Sequence, residues 1–510
     1  MATDGGKAMP DLVAALRECP AGRATSQFDA ALAQPEHEAR RCELATALRL
    51  RGEAWADLIE TQLQTGALSD HELDRHRELL SRQLPILECS PALHDALREG
   101  ALGMRQGLVE RATLSPEALL ADAEALFVLA PLRSISLNGA SVEQARALGR
   151  LHQLGRLHHL GMSGRELGDD GVGALIQSPH LRALTTLDLY DVGIGDATLR
   201  LLGAQDVLPA LRRLSLGETR HSREGLAALL RRPSIAALRE LVVDGHWLDD
   251  GAIDELAAAP GLELETLTLI HGRIGPALRA LASSRVVTKL RRLHLTRGLR
   301  DAGATLELLA GLEQLEVLGL TGWPLGHPVV DAVCRPMASS RLVELTLSET
   351  GLDDAAARTL AESDIAQLAW LDLSSNAIGN DGAAALARAR FAPRLTRLGL
   401  EGNQLGSRGA AALVEGTASL VALDLSANPL GDDGARELAA APALGQVELL
   451  MLAGCAIGPA GARALLDSPH LQQAKRIVLD PGAGREVWEE LSRRRAGHDP
   501  LMHVGVRRWC

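Results

Sequence analysis

Leu371-Asp-Leu-Ser-Ser-Asn-Ala-Ile-Gly379 is followed by two close copies, Leu398-Gly-Leu-Glu-Gly-Asn-Gln-Leu-Gly406 and Leu423-Asp-Leu-Ser-Ala-Asn-Pro-Leu-Gly431. In each copy Leu-x-Leu has the period of a strand, so the two leucines face one side and the residue between them faces the other. Taking the second aliphatic residue as an anchor and working outward gives Leu137, Met162, Leu189, Leu216, Val243, Leu269, Leu295, Leu320, Leu347, Leu373, Leu400, Leu425, Leu452 and Leu479. Successive anchors are 25 to 27 residues apart. A fixed period of that length is the mark of a stacked repeat.

The rest of the phrase has equally physical roles. Five residues after most anchors stands another aliphatic, among them Ile194, Leu248, Leu352, Ile378 and Leu430, which turns the chain back over the core. Acidic pairs follow, Asp169-Asp170, Asp249-Asp250, Asp353-Asp354 and Asp432-Asp433, where a helix N-cap is expected. Proline beyond the helical run (Pro179, Pro233, Pro260, Pro393, Pro442, Pro469) ends each helix. One unit alone buries too little to offset the entropy of ordering it, so neighbours must stack and share strand hydrogen bonds. The expected fold class is α/β: a solenoid, curved into a horseshoe because helices are bulkier than strands, with a parallel concave sheet and convex helices behind an α-helical N-terminal domain.

These phrases resemble the ribonuclease-inhibitor-like class of leucine-rich repeats. That class places Asn or Cys three residues after the anchor, where the side chain bonds the loop backbone. Asn376, Asn403, Asn428 and Cys455 obey, whereas earlier units carry residues such as Ala140, Arg165, Val192, Thr219, His246 and Trp323. The loop ladder is therefore expected to be regular in the C-terminal third and looser before it. The units at Leu216 and Leu295 are the most irregular, since His221 and Arg300 replace the fifth-position aliphatic.

Four domains are expected. Residues 1–106 lack the repeat and read as amphipathic helices broken at Pro20, Pro35, Gly66 and Pro85. Residues 107–131 form an N-terminal capping unit, with an alternating stretch at Gly107 to Leu114 and a helix capped by Ser115-Pro116. The solenoid runs over 132–482, and 483–510 is a C-terminal cap and tail. The segment Glu43 to Gln62, and more closely Gly107 to Leu137, resembles the repeat-companion domain that precedes leucine-rich repeats in many bacterial proteins. That resemblance brings no catalytic activity with it.

Composition narrows the function classes. The apolar fraction is 46% but aromatics make up only 2%, so the interior must be aliphatic. The net charge is −12 and only Lys7, Lys289 and Lys475 are lysines, which argues against nucleic acid or an anionic membrane as partner. Six scattered cysteines without a pairing pattern read as thiols in a reducing cytoplasm. No P-loop, dinucleotide fingerprint, Gly-x-Ser-x-Gly or paired Cys-x-x-Cys occurs, so no cofactor and no enzyme is expected. His246, His271 and His294 come from consecutive units beside Asp244, but their differing offsets enforce no metal geometry, and no metal is expected.

What remains is the inner strand face, whose residues change from unit to unit where a mere scaffold would repeat. The expected partner-binding residues are Asp188, Tyr190, Asp191, Trp247, His271, His294, Arg297, Trp323, Trp370 and Asp372. Tyr190 and Trp370 are the natural anchors, as Tyr and Trp are at interface hot spots. For Trp247 and Trp323 the competing reading is a ring folded over a loop that lacks Asn. The expected function is an intracellular protein-binding scaffold. An inhibitor or regulator that wraps an enzyme and a purely structural repeat protein are the alternatives, and the oligomeric state is left open.

Overall fold

The computed structural model describes residues 102–105, 108–129, 132–204, 207–334, 341–474 and 476–480. The expected helices of residues 1–101, the match at Glu43 to Gln62 and the C-terminal cap of 483–510 lie outside them. The chain divides into two compact units, 1–221 and 222–510.

In the first unit β1 (Leu102–Arg105) and β2 (Leu108–Leu114) form an antiparallel hairpin. This hairpin straddles the expected boundary at 106/107. Four parallel strands then follow in chain order: β3 (Ser134–Asn138), β4 (His159–Ser163), β5 (Thr186–Tyr190) and β6 (Arg213–Gly217).

The second unit repeats the arrangement. It begins with β7 (Glu240–Asp244), β8 (Thr266–Ile270), β9 (Arg292–Thr296), β10 (Val317–Thr321) and β11 (Glu344–Ser348). Five three-residue strands complete it: β12 (Trp370–Asp372), β13 (Arg397–Gly399), β14 (Ala422–Asp424), β15 (Leu449–Met451) and β16 (Arg476–Val478). Each is parallel to the next, in a register that aligns the first Leu of every phrase, as Leu371↔Leu398↔Leu423↔Leu450. Each unit is thus a leucine-rich-repeat solenoid of the α/β class.

Alternation does what the phrase requires. In β5 Leu187 and Leu189 are fully buried while Tyr190 is out in solvent. The fifth-position aliphatics Leu167, Ile194, Leu248, Ile378 and Leu405 are buried against the helices. At the two irregular units the chain compensates differently. His221 is itself buried, bonded to Thr219 Oγ1 at 2.6 Å, whereas Arg300 stays exposed and Leu299 fills the core in its place.

Two side-chain ladders tie neighbouring repeats together. The Asn ladder is regular where expected. Asn403 donates to Leu373 O (2.9 Å) and Leu400 O (3.1 Å) and accepts from Ile378 N (3.0 Å). Asn376 and Asn428 do the same one unit on either side, and the Cys455 thiol donates to Leu425 O at 3.0 Å.

The second ladder corrects the reading of the acidic pairs. Asp249 and Asp353 do cap their own helices, accepting from Ala252 N and Ala356 N at 3.0 Å. The residue after each reaches instead to the following repeat. Asp250 accepts from Gly275 N (2.7 Å) and Ala277 N (3.1 Å), and Asp354 accepts from Gly379 N (2.6 Å) and Gly382 N (2.9 Å). Asn380, Asp432 and, in the first unit, Asp169 occupy the same position and make the same bonds. In the Asp169 and Asp432 repeats the helix starts at the preceding Gly with no side-chain cap of its own, so there the first residue of the pair serves the next helix rather than its own.

Candidate functional site

The open strand face of the first unit carries a continuous polar chain. Ser134 Oγ lies 2.6 Å from His159 Nδ1, His159 Nε2 lies 2.9 Å from Asp188 Oδ2, and Arg213 Nε stands 3.6 Å from Asp188 Oδ1. Burial works against the charge on Asp188, but the His159 hydrogen bond and the Arg213 guanidinium outweigh it and hold its pKa below the ordinary value. Beside this chain Tyr190 is 56% exposed. Its ring lies over Gly217 of β6, where a Cβ would come within 2.5 Å of it. Asp191, next in sequence, accepts from Arg165 Nε at 2.6 Å.

Ser134, His159 and Asp188 have the residue types of a nucleophile, a base and its orienting acid. The backbone amides around Ser134 are nevertheless committed to the ladder: Arg133 N bonds Glu110 O, and His158 N and His159 N bond Arg133 O. What the arrangement does is lock charged groups in fixed positions on the strand face.

On the second unit His271 Nδ1 is 2.8 Å from Asp244 Oδ1, and the His246 ring lies 5.3 Å from that of His271. Two of the three histidines of consecutive units, His246 and His271, therefore meet beside Asp244. His294 takes a different place, in the middle of β9 with its ring over Gly319 of β10. Burial, and then the Arg292 charge, push the His294 pKa down. Arg297 crosses Gly322 and approaches Glu349 at 4.0 Å. Trp247 folds over Gly245 of its own loop, the packing that was the competing reading for it. Trp323 is half-buried in the loop after β10.

Trp370 and Asp372 come together on β12. The Arg397 guanidinium sits 5.1 Å from the Trp370 ring centroid, a cation–π distance. Asp372 accepts from Ser374 N (2.9 Å) and Ser374 Oγ (2.5 Å), beside Gly399 of β13 and Asp424 of β14. Burial raises the Asp424 pKa, the Ser426 amide counters it, and nearby Asp372 pushes it up further. Asp424, Arg397 and His159 flank the anchors on the inner strand face in the sequence, but were not among the expected partner-binding residues. The signal for the first was legible: Leu-Asp-Leu, Leu-Gly-Leu and Leu-Asp-Leu in register put a glycine gap between two carboxylates.

One backbone feature recurs at these residues. The second position after the anchor is left-handed in nearly every repeat. Glycine fills it at Gly139, Gly164, Gly322, Gly402 and Gly454, but elsewhere it is Asp191, Glu218, His271, Arg297, Glu349, Ser375 or Ala427, with φ between 49° and 57°. For an L-residue that conformation costs about 1 kcal/mol or more. Five of the seven are charged or titratable groups, each placed at the rim of the strand face.

Residues 371–387 and 418–439 match the Leucine Rich repeat family. The ribonuclease inhibitor of Sus scrofa is 31% identical over 334 residues, which is 59% of this chain and 67% of the inhibitor. Two solved structures align over most of their length. An internalin from Listeria monocytogenes has 19% identity and a TM-score of 0.40, covering 78% of this chain and 97% of its own. The yeast Rad7 and Elc1 complex gives 16% and 0.46, covering 86% and 92%. With its repeats in register and an inhibitor relative matched over two thirds of that protein's length, this chain belongs to the leucine-rich-repeat family of which the ribonuclease inhibitor is a member.

Proposed function

We propose that the open strand face is a protein-binding surface and that the chain is a cytoplasmic binding scaffold. The observation that carries this reading is the exposed Tyr190, fixed over Gly217 beside the Ser134–His159–Asp188–Arg213 chain. An aromatic side chain held rigid in solvent loses little entropy on docking and supplies a large contact area. The charged residues held in the left-handed position, where glycine serves in sister repeats, support it too. Backbone strain of that kind is kept where a side chain is needed.

No helix of the described residues is long and apolar enough to cross a membrane. Cys334 and Cys455 are free, and burial pushes both thiols up to about 11, so they stay protonated and unreactive, in keeping with a reducing compartment.

The test is affinity capture from native extract with the full chain, beside Tyr190→Ala and Trp370→Ala variants. A protein retained by the wild type and lost with Tyr190→Ala is the expected result. Equal retention by all three would remove the strand face as the docking surface.

A second reading, inhibition of a basic enzyme, is favoured by the net charge of −12 and by the inhibitor relative. Titrating the chain into a pancreatic-type ribonuclease with a fluorogenic RNA decides it. Stoichiometric loss of activity supports the reading, and full activity at micromolar chain removes it.

A further inference from the structure

A row of residues runs along the edge where the strands of the first unit begin. Arg133 O accepts from His158 N at 2.8 Å, His158 O from Thr185 N at 2.9 Å, and Thr185 O from Arg212 N at 2.8 Å. These four residues therefore stand side by side just before β3, β4, β5 and β6. The second unit has the same row, tied by the same bonds: Arg239 O accepts from Glu265 N, Glu265 O from Arg291 N, and Arg291 O from Glu316 N. There each cation is neutralised in place. Arg239 Nε lies 4.0 Å from Glu265 Oε1, Arg291 pairs with Glu316 at 2.5 Å, and Lys289 beside the row lies 2.6 Å from Glu263 Oε2.

The first unit lacks that alternation. Glu110 stands opposite Arg133, but from His158 to Arg212 no carboxylate lies on this edge among the described residues. Arg212 is exposed and donates to Leu211 O at 3.0 Å. Arg182 is exposed in the turn Leu181–Ala183. Arg156 ends the neighbouring turn, His152–Arg156, and is exposed too, although it donates to Phe127 O at 2.5 Å. Carboxylates of this unit gather at the opposite edge, where Glu117, Glu143, Asp169, Asp170 and Asp196 occupy first helical turns. Basic groups at a helix C-terminus compensate its dipole, but that effect fades within one turn. These three arginines lie beyond it, so helix capping does not account for them.

We propose that this edge of the first unit receives an extended, acidic segment of a partner protein, with Arg156, Arg182 and Arg212 as its successive contacts. It adds a second docking surface to the strand face and does not depend on it. The Glu265 and Glu316 carboxylates of the second unit show what satisfies a cation at this position, and in the first unit a partner would supply the same group. One repeat step is ~4.8 Å at the strands, within reach of side chains from a single extended chain. Guanidinium groups take carboxylates in bidentate pairs, which fixes the segment as well as attracting it. Single-stranded nucleic acid fits less well, because its binding sites add aromatic stacking platforms. This edge exposes no aromatic side chain among the described residues, and the net charge of −12 repels a polyphosphate.

The test is a fluorescence-anisotropy titration of the full chain into a labelled (Asp-Ser)5 peptide, with (Asn-Ser)5 under the same label as control. A Kd on the order of 100 μM in about 20 mM salt is expected for the acidic peptide alone, weakening as salt rises to about 150 mM. Arg182→Glu/Arg212→Glu should weaken it about tenfold or more, whereas Arg388→Glu/Arg408→Glu, which changes the net charge equally on exposed sites of the second unit, should leave it within about twofold. If the first double variant does not keep the wild-type thermal midpoint, Arg182→Gln and Arg212→Gln are read singly in its place. No saturation by about 1 mM, equal binding of the neutral peptide, or equal losses in the two double variants overturns the assignment. So does an oligothymidylate of matched charge that binds as tightly and depends on the same arginines. Tyr190→Ala should leave the peptide titration unchanged, so the edge and the strand face stand or fall separately.

Discussion

Asp354→Ala should loosen the start of a helix to which Asp354 does not belong. Its Oδ1 accepts from Gly379 N at 2.6 Å and Gly382 N at 2.9 Å, the opening of the next helix, Asn380–Ala387. Gly382 permits this approach, since a Cβ there would lie 2.5 Å from the same oxygen. Removing a side-chain cap costs roughly 1 kcal/mol, with a range up to about 2. A carboxylate at the positive end of a helix adds about 0.3–1 kcal/mol. Two amides lose their acceptor together here, so the cost is about 2 kcal/mol, equivalent to roughly thirtyfold faster exchange if the amides exchange by local opening.

Hydrogen exchange read by mass spectrometry, with peptides separating 353–361 from 379–387, locates the effect. Asp354→Ala is expected to expose 379–383 and spare its own helix. Asp353→Ala, which removes the bond from Ala356 N, is expected to do the opposite. Asp354→Asn should be close to neutral, because Asn380 already performs this task one repeat later. If Asp354→Ala leaves 379–383 protected and loosens 354–357 instead, the inter-repeat ladder is not what holds these helix starts.

Asn403→Ala removes two strong donations and one acceptance at a buried site, and should destabilise the chain by about 3 kcal/mol, read as a fall in the denaturant midpoint. His221 is neutral when folded, since burial depresses its pKa to about 4 although Asp196 opposes the shift. The unfolded chain therefore binds this proton first as pH falls below about 6.5, and stability should drop by roughly 2 kcal/mol between pH 7.5 and 5, with His221→Leu abolishing that part of the slope. Asp191→Gly and Arg297→Gly relieve left-handed strain and should each stabilise by about 0.5–1 kcal/mol while weakening capture of a partner, read as opposite changes in melting temperature and retention.

Much of the scaffold can be read from Leu-x-Leu and its spacing, because a period of two followed by a turn and a helix leaves one way to bury the leucines. The Asn ladder was legible for the same reason, as Asn376, Asn403 and Asn428 have both donor and acceptor facing a loop that needs both. The partner of each acidic residue was not. Asp353 and Asp354 are adjacent and chemically identical, and only the stacking of the next repeat tells which reaches forward. The candidate site was half legible. Asp188, Tyr190 and Trp370 follow from alternation, but the link from Asp188 to His159 joins different positions on adjacent strands, and only the three-dimensional register brings them within 2.9 Å. His246 and His271 meet for a similar reason, through a loop geometry that sequence offsets do not convey.

The two ladders also explain why the strand face of the second unit can hold something as unfavourable as Asp372 and Asp424. Cohesion between repeats there runs through Asn376, Asn403 and Asn428 under the loops and through Asp354, Asn380 and Asp432 at the helix starts. Each makes two or more bonds to its neighbour, so these side chains tie successive repeats of the second unit together. Replacing either carboxylate by an apolar residue of similar shape would spare the desolvation and leave both ladders intact. The exchange would also leave Ser374 N and Ser426 N without their side-chain acceptor, so both carboxylates serve the loops that follow their strands. The Asn and Asp ladders therefore hold the stack while the strand face carries polar groups that serve its own loops.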